Sequence, residues 1–299
     1  MSKYPEHDEK YFYKYAEMDT AKIILQTGNF RYSSPLTFND PFDIQTELLF
    51  DFDMSHLPER VTEELDAIVT GRRQISLSGD SDWGKAAELL KQKHSEGKYK
   101  REHLSILVKP LIEFLTSIIE DTRAQYNGHW KKMLNQIKVF CVSEHNDNIL
   151  MWSHYAKCHT GVCFKLKVLP EKDNPICAAK KVRYFPNPPT FFGLEEWVES
   201  IVLDQDIDIS KLNTEYPITK ADIWDYEDEW RVWAPFDENG KNYFDMPIID
   251  GEIEAVYFGI KSDPTEKKNL MRIAKGQGIG EFYEAHKKPD GYRIDHTKI

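Results

Sequence analysis

Glu227 and Glu229 stand two positions apart and Arg231 follows at the same interval, in the run Trp224-Asp225-Tyr226-Glu227-Asp228-Glu229-Trp230-Arg231-Val232-Trp233. On an extended chain this spacing puts the three side chains on one face. The guanidinium can then keep the Glu229 carboxylate ionised, and an ionised carboxylate can stabilise positive charge or orient a nucleophile. Two other segments also mix large aromatics with groups that hold or polarise a ligand. Residues 151–161 bring Trp152, His154, Tyr155 and His159 together among small side chains, and residues 30–43 contain Arg31, Tyr32, Ser33 and Asn39. The three segments read as walls of one polar cleft. Arg31, Tyr32, Asn39, His154 and Glu229 are expected to line a single solvent-accessible cavity, with Ser33, Trp152, Tyr155 and Arg231 as further binding or orienting groups.

Each of these residues also has an ordinary structural use. Tryptophan and tyrosine usually pack with their polar ends satisfied, and Arg231 can form a plain cross-strand ion pair. A metal site is not expected. His154 and His159 are five apart, which is neither a zinc motif nor the spacing that puts two imidazoles on one helical face, and Cys158 does not complete a tetrahedral set. Asp40, Asp43 and Glu229 do offer hard oxygen ligands for Mg²⁺ or Mn²⁺. They sustain a lesser reading as a metal-dependent nucleotide or nucleic-acid hydrolase.

The elements that must position these groups follow from periodicity. Aromatic residues at 11–15 suggest a first strand. A helix follows on Met18, Ile23, Ile24 and Leu25, stopped by Gly28-Asn29, and a second strand runs over 30–33. Pro35 and Pro41 enforce a loop. Residues 57–134 are charged and carry helical stripes, including Leu104, Ile106, Leu107, Leu111, Ile112, Leu115, Ile118 and Ile119, with Pro110 expected to divide or kink that helix. Polar residues 72–82 suggest a loop within this stretch. Strands are expected at 137–142, 161–169, 179–184, 229–234, 253–260 and 281–286, a short helix at 148–156 and a closing helix at 268–274; residues 203–212 fit either strand or loop. If 148–156 is helical, Met151 and Tyr155 share a face and His154 lies on another. The fold class is therefore α+β, a mixed or antiparallel sheet with an inserted helical region at approximately 57–134 in a single elaborated domain spanning 1–299.

Composition narrows the function. With 299 residues, 40% of them hydrophobic, the chain can bury a large core without metal or disulfide staples. Fifty acidic against 39 basic residues give a formal net charge of -11, which disfavours a general nucleic-acid surface. Four cysteines without a CxxC pair suit a reducing, cytoplasmic setting. No apolar run reaches the roughly 20 residues that cross a bilayer, so no membrane partner is expected.

Beyond these readings, Tyr13-Lys14-Tyr15, Asn39-Asp40-Pro41-Phe42-Asp43, Cys141-Val142-Ser143-Glu144, Met151-Trp152-Ser153-His154-Tyr155-Ala156 and Tyr226-Glu227-Asp228-Glu229-Trp230-Arg231 together resemble a large prokaryotic family described only as a domain of unknown function. The resemblance runs along almost the entire chain, least in the helical middle. It implies an accessory or defence-associated protein, with a phage or defence-system protein as a partner, and no settled activity. The order of elements is also similar to that of a distant ADP-ribosyltransferase: aromatic first strand, helix, Arg-Tyr-Ser-Ser strand and a late Glu-x-Glu. That similarity implies NAD as a substrate and a nucleotide or macromolecular acceptor. The chemistry would be ADP-ribosyl transfer or NAD hydrolysis, with Glu229 as the principal catalytic group and Glu227 its helper. Arg31 would hold phosphate, Ser33 the ribose, and Trp152 or Tyr155 a ring. The Ser33-Ser34-Pro35 step departs from the serine-threonine-serine pattern of that family. The non-enzymatic alternative is a module that binds a nucleotide, a peptide or a phage protein without turnover.

Overall fold

Short alternating apolar runs build the strands, and longer runs of helical period build the helices. The computed structural model describes residues 6–51, 53–75, 82–203, 208–234 and 240–299. Its elements begin with β1 (Tyr11–Ala16), α1 (Met18–Thr27), β2 (Asn29–Ser33), β3 (Leu49–Asp51), α2 (Leu57–Val69), α3 (Asp82–Ser95), α4 (Glu102–Gln136), β4 (Val139–Ser143), α5 (Ile149–His154) and β5 (Val162–Lys167). They continue with β6 (Lys180–Lys181), β7 (Arg183–Phe185), β8 (Thr190–Gly193), α6 (Leu194–Leu203), α7 (Lys211–Thr214), β9 (Thr219–Ala221), β10 (Glu229–Trp233), β11 (Tyr243–Pro247), β12 (Ile253–Phe258), α8 (Pro264–Gly276), β13 (Glu281–Lys287) and β14 (Ile294–Lys298). The fold is α+β with a mixed sheet, as the sequence suggests. Two compact units emerge, one formed by Met1–Thr46, Met133–Pro188 and Ile218–Ile299, the other by Glu47–Lys132 and Pro189–Pro217.

The first unit is built on a ten-stranded sheet. Its pairings are antiparallel except for the parallel pair β12 and β13, and β7 and β9 form a separate parallel ribbon. On one face the core holds Phe12, Ile24, Leu25, Phe30, Phe140, Phe164, Phe258, Leu270 and Phe282. On the other, Met151, Trp152 and Ala156 from α5 and its C-terminal turn join Tyr15, Cys163, Tyr257 and Ala285. Two glycines allow close approach here. A Cβ at Gly259 would stand 2.2 Å from the His159 carbonyl oxygen, and one at Gly161 would stand 2.2 Å from that of Ala16.

The sheet forks along β4. One edge of β4 is taken by β10 over its full length, from Glu229 opposite Ser143 to Trp233 opposite Val139. A strand has only two edges, so the other is shared. There β1 meets β4 at Ser143, opposite Tyr13, and β2 meets it at Val139, opposite Ser33. Between these contacts the middle of β4 faces a gap. Lys14 Nζ donates to the Cys141 carbonyl oxygen at 2.8 Å, supplying a partner that no neighbouring strand provides there.

In the second unit, β3 and β8 pair in parallel and α2 packs with α3 and α6. Phe50, Tyr126, Phe191, Phe192, Trp197 and Tyr216 form a contiguous set of ring contacts. The helical stretch expected at 57–134 corresponds to α2, α3 and α4, and the unit also takes in 189–217. Pro110 does not divide α4, a continuous helix of 35 residues. The missing proline N–H costs one backbone bond, and the turns on either side continue. Side chains of Leu107, Leu111, Ile112 and Leu115 lie outside the described residues, as do residues 76–81 of the polar loop and 204–207 of the ambiguous segment. No helix among the described residues is long and apolar enough to cross a membrane.

Candidate functional site

The fork opens into a cavity of about 350 Å³ within the first unit. Strand alternation explains most of its wall. Tyr13 and Tyr15 from β1, Arg31 and Ser33 from β2, Cys141 and Ser143 from β4, and Glu229 from β10 lie at alternate positions and line it. The loop after β2 adds Thr37, Phe38, Asn39 and Asp43, and α5 with its cap adds Met151, His154 and Tyr155. That helix starts where the Asn148 side chain accepts from the Leu150 and Met151 amides, at 2.9 and 3.1 Å.

Of the residues singled out in the sequence, Arg31, Ser33, Asn39, His154, Tyr155, Glu227 and Glu229 thus line one cavity. Tyr32 does not. Period two sends it to the opposite face from Arg31 and Ser33, where it is buried and stacks on Phe140 at 5.1 Å. Trp152 is fully buried with its indole N–H bonded to the Asn146 carbonyl at 2.7 Å. His154 joins Met151 and Tyr155 on the cavity wall rather than lying apart from them, because positions three and four apart are neighbours on a helix. Arg231 does not reach the cavity; it is fully buried behind Glu229.

Behind the wall is a network of buried charges. Arg231 contacts Glu229 through Nε at 2.8 Å and Nη2 at 3.0 Å, and holds Asp43 through Nη2 at 2.7 and 2.8 Å. Lys220 Nζ lies 2.5 Å from Glu227, 3.1 Å from Glu229 and 3.4 Å from Asp43. The Tyr155 hydroxyl donates to Glu227 Oε1 at 2.5 Å. Glu227 and Glu229 converge by a route that the extended-chain reading did not foresee. Glu227 ends a 3₁₀ turn, Asp222–Glu227, and Asp228 takes a left-handed conformation at φ 42° before the strand begins. Such backbone is costly for a residue with a Cβ and persists where the surroundings enforce it.

This network separates the two glutamates. Burial opposes charge on Glu229, yet Arg231 and then Lys220 outweigh it and hold the carboxyl well below the usual range. Burial raises the Glu227 carboxyl; Lys220 pulls against it, Glu229 reinforces it, and the net shift is upward. Asp43 is also raised, first by burial. The Tyr155 hydroxyl is raised by burial and then by Glu227, so it remains a proton donor. Burial lowers the Lys14 ammonium. The ring of Asp43, Glu227, Glu229, Lys220 and Arg231 sets three carboxylates against two cations, leaving one formal negative charge in excess.

Sequence reasoning missed Lys220, because a lysine ordinarily reads as a solvated surface group. Its position seven residues before the first of two acidic side chains was the available signal. Of the hard-oxygen set, Asp43 and Glu229 converge on Arg231 and Lys220, which take their oxygens as ion-pair partners, and Asp40 caps the Phe42 amide at 2.9 Å. A different trio, Glu144, His145 and Asp228, has ligand atoms within 4.8 Å of one another. Lys181 at 2.5 Å and the Trp230 indole at 2.7 Å already occupy Glu144. Of the four free cysteines, Cys163 and Cys177 are buried as small core residues should be, Cys141 is half-buried, and Cys158 is exposed.

Residues 151–232 match the model of a family described as a protein of unknown function (DUF2971). That stretch, under a third of the chain, supplies Tyr155, Lys220, Glu227, Glu229 and Arg231, whereas Lys14, Arg31, Asn39 and Asp43 lie outside it. No curated protein and no solved structure matches the chain.

Proposed function

We propose that the fork cavity binds a nicotinamide dinucleotide and that the chain cleaves its glycosidic bond, as an ADP-ribosyltransferase or NAD glycohydrolase. The observation that carries this reading is the pair of buried carboxylates, Glu227 and Glu229, bridged by Lys220 on the wall of a cavity that also presents tyrosine rings, hydroxyls and the cations Lys14 and Arg31. Cleavage breaks the bond between the ribose C1 and the nicotinamide nitrogen. The electron pair stays on the ring, nicotinamide leaves neutral, and positive charge develops on the ribose. A carboxylate set against the ribose favours that state over the bound substrate, in which the positive charge still sits on the nicotinamide ring. The oxygen of water or of an acceptor then closes on C1 and releases its proton to solvent by way of Glu227.

The geometry favours an exchange of roles between the two glutamates. Both Glu229 oxygens are engaged by Arg231, which suits a fixed positioning charge. Glu227, held by Lys220 and the Tyr155 hydroxyl and raised by burial, suits the group that meets the reacting carbon. A cavity of about 350 Å³ is near the small end of ligand sites, which span roughly 300–1,000 Å³. It matches the nicotinamide riboside half, with the adenylate half near the mouth. One observation favours the binding-module alternative. All the buried carboxylates already have partners, as in a rigid recognition site.

The test is to incubate purified chain with NAD and a panel of acceptors, follow nicotinamide, and compare wild type with Glu227→Gln and Glu229→Gln after confirming that all are folded. The reading expects Glu227→Gln to lower kcat by about 10²-fold or more with NAD binding retained. Cleavage that survives Glu227→Gln unchanged rejects the assignment. Retained NAD binding without turnover in the wild type selects the binding module.

A further inference from the structure

We infer that Lys14 is where an anionic oxygen of the ligand docks, so the cavity takes a molecule carrying phosphate or carboxylate beside the group that faces Glu227 and Glu229. This rests on the nucleotide reading only in its choice of phosphate as the leading source.

The cations on the cavity wall differ in their partners. Lys220 is bound by three carboxylates. Arg31 sits at an exposed position, donates through Nε at 2.9 Å and Nη2 at 3.2 Å to Asp245, and lies 3.9 Å from the Tyr243 ring centroid. To grip a phosphate, Arg31 must give up Asp245. Lys14 has no carboxylate partner among the described residues. Its ammonium donates once, to the Cys141 carbonyl at 2.8 Å, and lies 4.8 Å from the Phe140 ring centroid. An ammonium has three donors, so two remain for a ligand. The fork explains why such a group is present: the gap in β4 pairing leaves a carbonyl for one donor, and the cavity receives the others.

A half-buried cation without a counter-ion is unfavourable unless something supplies the charge. The neighbouring ring has one excess negative charge, but those carboxylates are bound to Lys220 and Arg231. The cavity thus presents a cationic point and an anionic wall. The complementary ligand has both signs, an anionic oxygen and a cationic or cation-forming carbon framework. A nucleotide whose phosphate lies near a positively charged base meets that description, and a neutral nucleoside does not.

The experiment is calorimetric titration of the full chain with inorganic pyrophosphate, ADP-ribose, adenosine, nicotinate and nicotinamide, on wild type, Lys14→Gln and Lys14→Met. The Gln variant keeps a donor for the Cys141 carbonyl and loses the charge, so it separates docking from folding; thermal unfolding of each variant is recorded alongside. Pyrophosphate and ADP-ribose should bind wild type in a salt-sensitive manner and about ten- to a hundredfold more weakly to folded Lys14→Gln, the range for a hydrogen bond to a charged group. Adenosine should be indifferent to the substitution. A carboxylate docking point would instead show the loss with nicotinate and not with pyrophosphate. The inference is overturned if wild type binds none of the anionic probes, or binds them as well as Lys14→Gln does. Absence of NAD cleavage together with Lys14-dependent anion binding leaves this inference standing and removes only the proposed activity. NAD cleavage with kcat and KM unchanged in Lys14→Gln does the reverse.

Discussion

Replacing Arg231 with methionine tests whether the charge network holds the site together. Arg231 is fully buried, and its contacts with Asp43 and Glu229 lie between 2.7 and 3.0 Å. Methionine fills much of the volume but leaves three buried carboxylates facing Lys220 alone. Breaking a buried pair from one side costs about 3–5 kcal/mol, because the stranded charges keep their desolvation penalty. At 1.36 kcal/mol per decade, this is about a hundred- to several-thousandfold in the opening equilibrium. Hydrogen exchange of the β10 and β4 amides, which pair from Glu229 with Ser143 to Trp233 with Val139, reads that change locally. Local readout matters because a chain of two compact units need not unfold in one step. A triple variant that also carries Asp43→Asn and Glu229→Gln should recover part of the loss, since it removes the stranded charges. Protection in Arg231→Met within about 1 kcal/mol of wild type, or no recovery in the triple variant, refutes the network as a source of stability.

Three further outcomes follow from the same geometry. Tyr155→Phe removes the 2.5 Å bond to Glu227; the Glu227 carboxyl should rise further, moving the acidic limb of nicotinamide release to higher pH and lowering the rate about tenfold or more, and an unchanged pH profile counts against the contact. Because Glu229 is depressed below its ordinary 4.5, the unfolded chain binds more protons there, so its stabilising contribution is full above about pH 4.5 and is lost as pH falls through the folded value. Glu227 is raised from 4.5, so stability declines as pH rises from 4.5 through its folded value; acid denaturation of Glu229→Gln and Glu227→Gln should change in opposite senses, and matching shifts contradict both assignments. Gly259→Ala places a Cβ 2.2 Å from the His159 carbonyl and 3.1 Å from the Trp152 ring, which should cost roughly 1–3 kcal/mol by thermal or denaturant unfolding; a neutral substitution shows that the turn after α5 yields easily.

The elements around the site were legible where one face is buried. Val162, Phe164 and Leu166 alternate, and they form β5 at the centre of the sheet. The Gly28 stop also holds, with the glycine at φ 66° as the left-handed cap of α1. The outer strands were harder to read. Tyr243–Pro247 contains a proline and Ile294–Lys298 is mostly polar, and both are terminal strands of the sheet path, where neither feature is penalised. Within the site, polarity mixed with aromatics points to the right segments but not to the direction of each side chain: it groups Tyr32 with Arg31, whereas strand alternation separates them. The fork was invisible because it arises from pairing among β1, β2, β4 and β10, which are distant in sequence. Lys14 gains meaning only when that pairing brings it beside Cys141, and Lys220, on the separate β7–β9 ribbon, only when the fold sets it against the two glutamates.

We propose the fork cavity as the place where a dinucleotide is cleaved at its glycosidic bond. The most direct measurement is nicotinamide released from NAD by the purified full chain in the presence of water and an acceptor panel, wild type against folded Glu227→Gln. Wild type should release nicotinamide, and the variant should lose about 10²-fold or more of that rate. Equal release by both proteins, or a wild type that binds NAD and releases no nicotinamide with any acceptor, contradicts it.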